Sequence, residues 1–287
     1  MNMYIRKIIR NVLLIPFMSL FVLMGCDTIE GPYMTDYEGP NGEHWDVVQK
    51  VLLEEFTGHQ CPNCPEGSAI AAEIKEWYGD RLVIMSIHAG WFARVSEGTF
   101  SYDFQTDEGN TLNNFFGVNQ YPIGMVNRKA FNASSLMGPY AWWDAVSLAM
   151  EKEPAFGLGL DVSYTESSAT LTANIDVHTL MPSSCQYRLS VFLTESGIIK
   201  PQRTNDPDYP SGVIEDYEHK YVLRTSLNEV WGEMVNESSI NVGDNFTFSY
   251  TITLDEDWVP ENSSIVSFVH HAVTREVIQV EEKPVIP

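Results

Sequence analysis

Two cysteines, Cys61 and Cys64, stand where an apolar, β-branched run gives way to a helical repeat. Ahead of them Val47, Val48, Val51, Leu52, Leu53 and Phe56 suit a buried strand, closed by the loop Thr57-Gly58-His59-Gln60. From Pro65 onward Ala69, Ile70, Ile74, Trp77 and Tyr78 recur at three- and four-residue spacing, as one apolar face of a helix does. Gly79 falls where a C-cap glycine belongs, and Leu82 to Ile87 reads as a second buried strand. Strand, C-x-x-C, helix, strand is a βαβ setting, and it gives a short motif real specificity. At a helix N-terminus the free N–H groups and the helix dipole both favour a thiolate. Cys61 is therefore expected to be the exposed nucleophile. Cys64, one turn into the helix, is expected to be the thiol that closes the disulfide. Glu55 lies in the same apolar strand, where a lone carboxylate is costly to bury. The competing expectation is that strand alternation turns Glu55, or its neighbour Glu54, to solvent.

A second signature lies downstream. Phe115 to Val126 reads as a helix end, a loop, the Tyr121-Pro122 bond and a further strand. Thioredoxin-like domains resemble this arrangement, with a cis-proline opening a strand beside the dithiol and a buried acid at the position of Glu55. Cis bonds form only ~5–6% of X–Pro pairs, so it is the combination with C-x-x-C that points to cis. The resemblance implies that Cys61, Cys64, Glu55 and Pro122 form the catalytic group, Glu55 relaying the proton to the resolving cysteine. Ala141, Trp142, Ala145, Val146 and Ala149 suggest a closing helix. Roughly Trp91 to Asn114 reads as an insertion near the redox site.

The N-terminus has a different logic. Arg6, Lys7 and Arg10 precede an apolar run that ends in Leu23-Met24-Gly25-Cys26, the layout of a secretory signal. The run is shorter than the ~20 apolar residues of a spanning helix. Its ending resembles a bacterial lipobox, with residues 1–25 removed and Cys26 acylated (palmitate among its chains) to anchor the protein. Residues 26–45 are rich in Gly, Pro and acidic residues and read as a tether. The formal charge is −22. Loss of the three basic leader residues takes it to about −25, a field that repels nucleic acid and anionic head groups. Export also makes a persistent disulfide feasible.

From Phe156 the pattern changes to short alternating runs, Leu158–Tyr164, Ala169–Val177, Tyr187–Leu193, Phe246–Leu254, Ile265–His270 and Val273–Val280, as in an antiparallel sandwich. Between Gly197 and His219 lies a long, acidic, Pro-rich loop, expected to be solvated unless it binds a ligand. Cys185 has no evident partner and reads as a structural thiol.

Several stretches resemble outer-membrane lipoproteins related to the 28-kDa outer membrane protein of anaerobic gram-negative bacteria. They are Leu52 to Gly58, Tyr121-Pro122 with Met125 to Arg128, and Tyr217 to Arg224. The resemblance implies an α/β thioredoxin-like domain (46–153) followed by an all-β immunoglobulin-like sandwich domain (154–287). It implies an outer-membrane location, facing the periplasm or the exterior, and supplies no activity. Three functions remain open. The first is thiol–disulfide exchange on exported proteins. The second is a surface-binding lipoprotein with a structural disulfide. The third is handling of a soft metal such as copper through Cys61, Cys64 and His88. No nucleotide, metal-hydrolase or Ser/His/Asp signature is visible, and no cofactor is expected.

Overall fold

The computed structural model describes residues 35–38, 44–131 and 133–287; the expected leader and lipobox, with Cys26, lie outside them. Residues Pro32–Pro287 form one compact unit. It begins with a hairpin, β1 (Thr35–Glu38) and β2 (His44–Val47), which overlaps the stretch 26–45 expected to be a tether. There follow β3 (Val51–Thr57), α1 (Cys64–Tyr78), β4 (Leu82–His88), α2 (Asp107–Phe116), β5 (Ile123–Val126) and α3 (Trp142–Met150). Then come β6 (Phe156–Thr165), β7 (Thr170–Thr179) and β8 (Tyr187–Glu195). Between Ile198 and His219 two short pairings form, β9 (Ile198–Ile199) with β12 (Glu218–His219) and β10 (Gln202–Arg203) with β11 (Val213–Ile214). The chain ends with β13 (Val222–Ser226), β14 (Glu233–Met234), β15 (Asn245–Thr253), β16 (Ser263–His271) and β17 (Val277–Pro284).

The architecture is mixed α/β. One eight-stranded sheet runs β17-β16-β8-β13-β4-β3-β5, with β14 also on β8, and therefore crosses from the N-terminal half into the C-terminal half. The join is β13, which lies parallel to β4 on one side and antiparallel to β8 on the other. A second sheet, β15-β7-β6, packs on β8 and β16 through Leu171, Ile175, Val191 and Ile265. Residue alternation along β3 divides two further cores. Leu52 and Phe56 face Met85, Phe192, Leu223 and Phe268, whereas Val51 and Leu53 face Ile74 of α1 and Trp142 of α3. The long sheet curls, because β17 returns to the chain around β3 and β5. Val277 N–H donates to Asn127 O (2.8 Å) and Gln49 Nε2 donates to Ile278 O (3.0 Å).

Both faces of β3 are thus covered, and neither Glu54 nor Glu55 reaches solvent. Glu54 points into the curled core, where Arg128 grips it through two bonds of 2.7 Å. Asn127 and Arg128 both take left-handed φ values (50° and 53°), which turns the chain after β5 back into that core. Glu55 points the other way, beneath α1.

Candidate functional site

The site is assembled by the loop between β3 and α1. Cys61 and Cys64 form a disulfide. Cys64 opens α1 instead of lying one turn inside it, with Pro65 in the first turn, where a missing N–H leaves no helix bond unmade. Asn63 makes no side-chain cap to the helix. The Tyr121–Pro122 bond is cis. Pro122 packs against α1 at Gly67: a Cβ there would lie 2.9 Å from the Pro122 ring and 3.3 Å from Glu55 Oε1. The start of α1, Pro122 and Glu55 therefore occupy one shell of contacts.

Glu55 is 1% exposed and has no cationic partner among the described residues. Ser68 Oγ donates to Oε1 (2.9 Å) and Ser86 Oγ lies 3.4 Å from Oε2. Burial outweighs those two hydroxyls and lifts the Glu55 carboxyl to about 7. It borders a cavity of about 320 Å³ with Ser68, His88, Tyr217 and His219 around it. Burial also holds Tyr217 up at about 12, so it is a neutral hydroxyl there. His88 stacks on Phe104 (4.4 Å between ring centres) and meets His219 edge-on at 5.2 Å. Desolvation keeps His88 well below the ordinary histidine range and brings His219 to about 3, so both are neutral. Among the described residues no three His, Cys, Asp or Glu side chains converge as metal ligands. His88 thus lies in an aromatic cluster with Phe104 and His219.

The largest departure from expectation is at Cys61, which is 1% exposed. Two segments are bonded to the loop that carries it. On one side the expected insertion packs down: Gln60 N–H donates to Phe92 O (2.9 Å) and Gln60 Nε2 to Arg94 O (2.5 Å). Gly58 permits that approach, since a Cβ there would run into the Phe92 carbonyl and the Ala93 nitrogen. Gly58→Ala should lower stability by about 1–3 kcal/mol through overpacking, read as a shift in urea midpoint; an unchanged midpoint would mean that the 91–94 turn does not need this contact.

On the other side lies the loop expected to be solvated. Gln202 Nε2 donates to Cys61 O (2.9 Å), Arg203 N–H to His59 O (2.8 Å) and Asn205 N–H to Pro62 O (3.0 Å). Asn205 Nδ2 adds a bond to Asn63 Oδ1 (2.7 Å). Residues 202–205 are thus laid along the dithiol loop like a strand. Single-residue properties of this loop, polar and Pro-rich, signal exposure and give no hint of this docking. Cys185 is free and half-buried.

These features define a mixed α/β protein with a disulfide at the start of a helix, a cis-proline against that helix and a buried carboxyl beneath it. The model of the family "Outer membrane protein Omp28" matches residues 109–286, and the chain belongs to that family, whose place is the outer membrane. No helix among the described residues is long and apolar enough to cross a membrane. Among solved structures the chain is similar to HBP35 of Porphyromonas gingivalis, with 18% identity over 83% of this chain and 76% of that one, at a TM-score of 0.62. A domain of the outer membrane lipoprotein Omp28 from the same organism shares 20% identity over 47% of this chain and 92% of its own, at a TM-score of 0.32. A protein of Agrobacterium tumefaciens covers 84% of this chain and 96% of its own at 9% identity, with a TM-score of 0.50. No curated protein matches the chain.

Proposed function

We propose that this outer-membrane protein is a lipoprotein, anchored through acylated Cys26, whose thioredoxin-like part carries out thiol–disulfide exchange on exported proteins. The immunoglobulin-like β part, on this reading, is the body that holds and covers the site. The observation that carries the reading is Glu55. A carboxyl buried without a cation, and lifted to about 7, is a liability that a purely structural disulfide does not require. Near neutral pH it can accept and return a proton. In the proposed cycle a partner thiolate attacks Cys61 Sγ and Cys64 leaves as a thiolate. Glu55 supplies or accepts the proton on the Cys64 side, and Pro122 shapes the floor of the groove. The reaction needs no cofactor.

The test is turnover of a cysteine-containing peptide disulfide with glutathione. The soluble body should accelerate it, Cys61→Ser should abolish the acceleration, and Cys185→Ser should leave it intact. A parent rate no faster than the uncatalysed one would sink the proposal. A second reading, a binding lipoprotein with a structural disulfide, is favoured by one observation, the burial of Cys61. The two part company over whether the cover of Cys61 opens in the folded protein.

A further inference from the structure

The cover is a specific piece of chain with specific bonds. Between Gly197 and His219 the backbone leaves the sheet at β8 and returns to it at β13, and on the way it forms only the short pairings of β9 with β12 and β10 with β11. Its near part is tied to the dithiol loop by two main-chain bonds, from Arg203 to His59 and from Asn205 to Pro62. The side chain of Gln202, 2% exposed, adds the bond to Cys61 O. Its far part, Asp206 to Ser211, is exposed throughout and folded on itself: Tyr209 N–H donates to Asp206 O and Gly212 N–H to Tyr209 O. Apart from Gln202 and Thr204, the side chains of 202–205 are exposed, so little apolar surface holds this segment down. Few apolar contacts are what distinguish a segment that opens locally from one that opens with the whole protein.

We propose that Gln202–Asn205 is a displaceable strap over the dithiol, and that an extended cysteine-bearing polypeptide takes its place. The inference rests on the exchange reading above. The bonds to be replaced are main-chain acceptors, His59 O and Pro62 O, so any extended backbone can satisfy them, whatever its side chains. That fits a site serving several exported proteins. Once seated, a thiolate of the partner attacks Cys61 Sγ and forms a mixed disulfide while the Cys61–Cys64 bond breaks. Cys64 leaves as a thiolate and takes up a proton. A second thiol of the partner then attacks the mixed disulfide and releases Cys61. Two partner thiols become one disulfide, and the Cys61–Cys64 pair gains two electrons and two protons.

The experiment measures the rate at which dithiothreitol reduces the Cys61–Cys64 bond in the folded chain, with Cys185 changed to Ser. Asn205→Pro removes the bond to Pro62 O and Gln202→Ala removes those to the Cys61 and Gly58 carbonyls. Either should speed reduction roughly tenfold or more if local opening limits the rate. Amide exchange of the parent protein gives a readout that needs no strap variant: Arg203 and Asn205 should lose protection well before the amides of β3 and β4. Reduction equally fast in parent and folded variants would overturn the proposal, as would strap amides protected as strongly as the core. These report the opening of the strap alone, whereas the exchange reading is tested by turnover and by the equilibrium potential of the bond. The two can therefore fail separately.

Discussion

Arg128→Met should destabilise the protein by about 3–5 kcal/mol, the cost of leaving a buried charge without its partner. Both side chains of the Glu54–Arg128 pair are fully buried, and the guanidinium holds both carboxylate oxygens at 2.7 Å. Phe268 and Phe116 pack against that guanidinium at 5.0 and 5.5 Å, so water cannot take its place cheaply. The double variant Glu54→Leu with Arg128→Met should recover most of the loss, because two apolar side chains carry no desolvation penalty. Urea unfolding of the parent, the single and the double variant measures this directly. A single variant that loses under about 1 kcal/mol would show that Glu54 finds another partner.

Glu55→Gln has the opposite sign and an effect nearly as large. In the fold this carboxyl titrates near 7 instead of its ordinary 4.5. Below the ordinary value folded and unfolded chains are both protonated, and the group contributes nothing. As pH rises from 4.5 to 7 the unfolded chain gives up the proton first, so stability falls across that window. Above 7 the full penalty remains, about 3 kcal/mol. The glutamine variant should therefore match its parent at pH 4 and exceed it by about that amount at pH 8, measured by urea unfolding at both pH values. On the exchange reading it should also turn over more slowly, since its proton acceptor is gone. Equal stability at both pH values would mean that the carboxyl is solvated or paired.

The βαβ frame around Cys61 was legible because periodicity changes sharply at the dithiol, from a β-branched run to a three-to-four repeat. Pro122 was legible because a proline opening a strand gains meaning beside C-x-x-C. Glu54 and Arg128 were not. They lie far apart in the chain, and only the curl of the sheet, which buries both faces of β3, brings them together. The second half shows the same limit. Alternating runs located β6, β7, β8, β15 and β16, yet alternation cannot tell a separate sandwich from strands that extend a sheet already begun. Val222 settles that, pairing with Ser86 of β4 and Glu195 of β8 at once. The strap was hidden for a related reason: its hold on the dithiol is by main-chain bonds, which leave no trace in side-chain identity.

The central claim is that the Cys61–Cys64 pair cycles, and its reduction potential tests that most directly. The measurement is made on the soluble body from Asp27 onward with Cys185 changed to Ser, equilibrated against glutathione and dithiothreitol buffers. A cycling pair should have a value between about −120 and −270 mV, among exchange catalysts. A value well below about −300 mV would contradict it, marking the bond as structural and moving the search for function to the β-rich half.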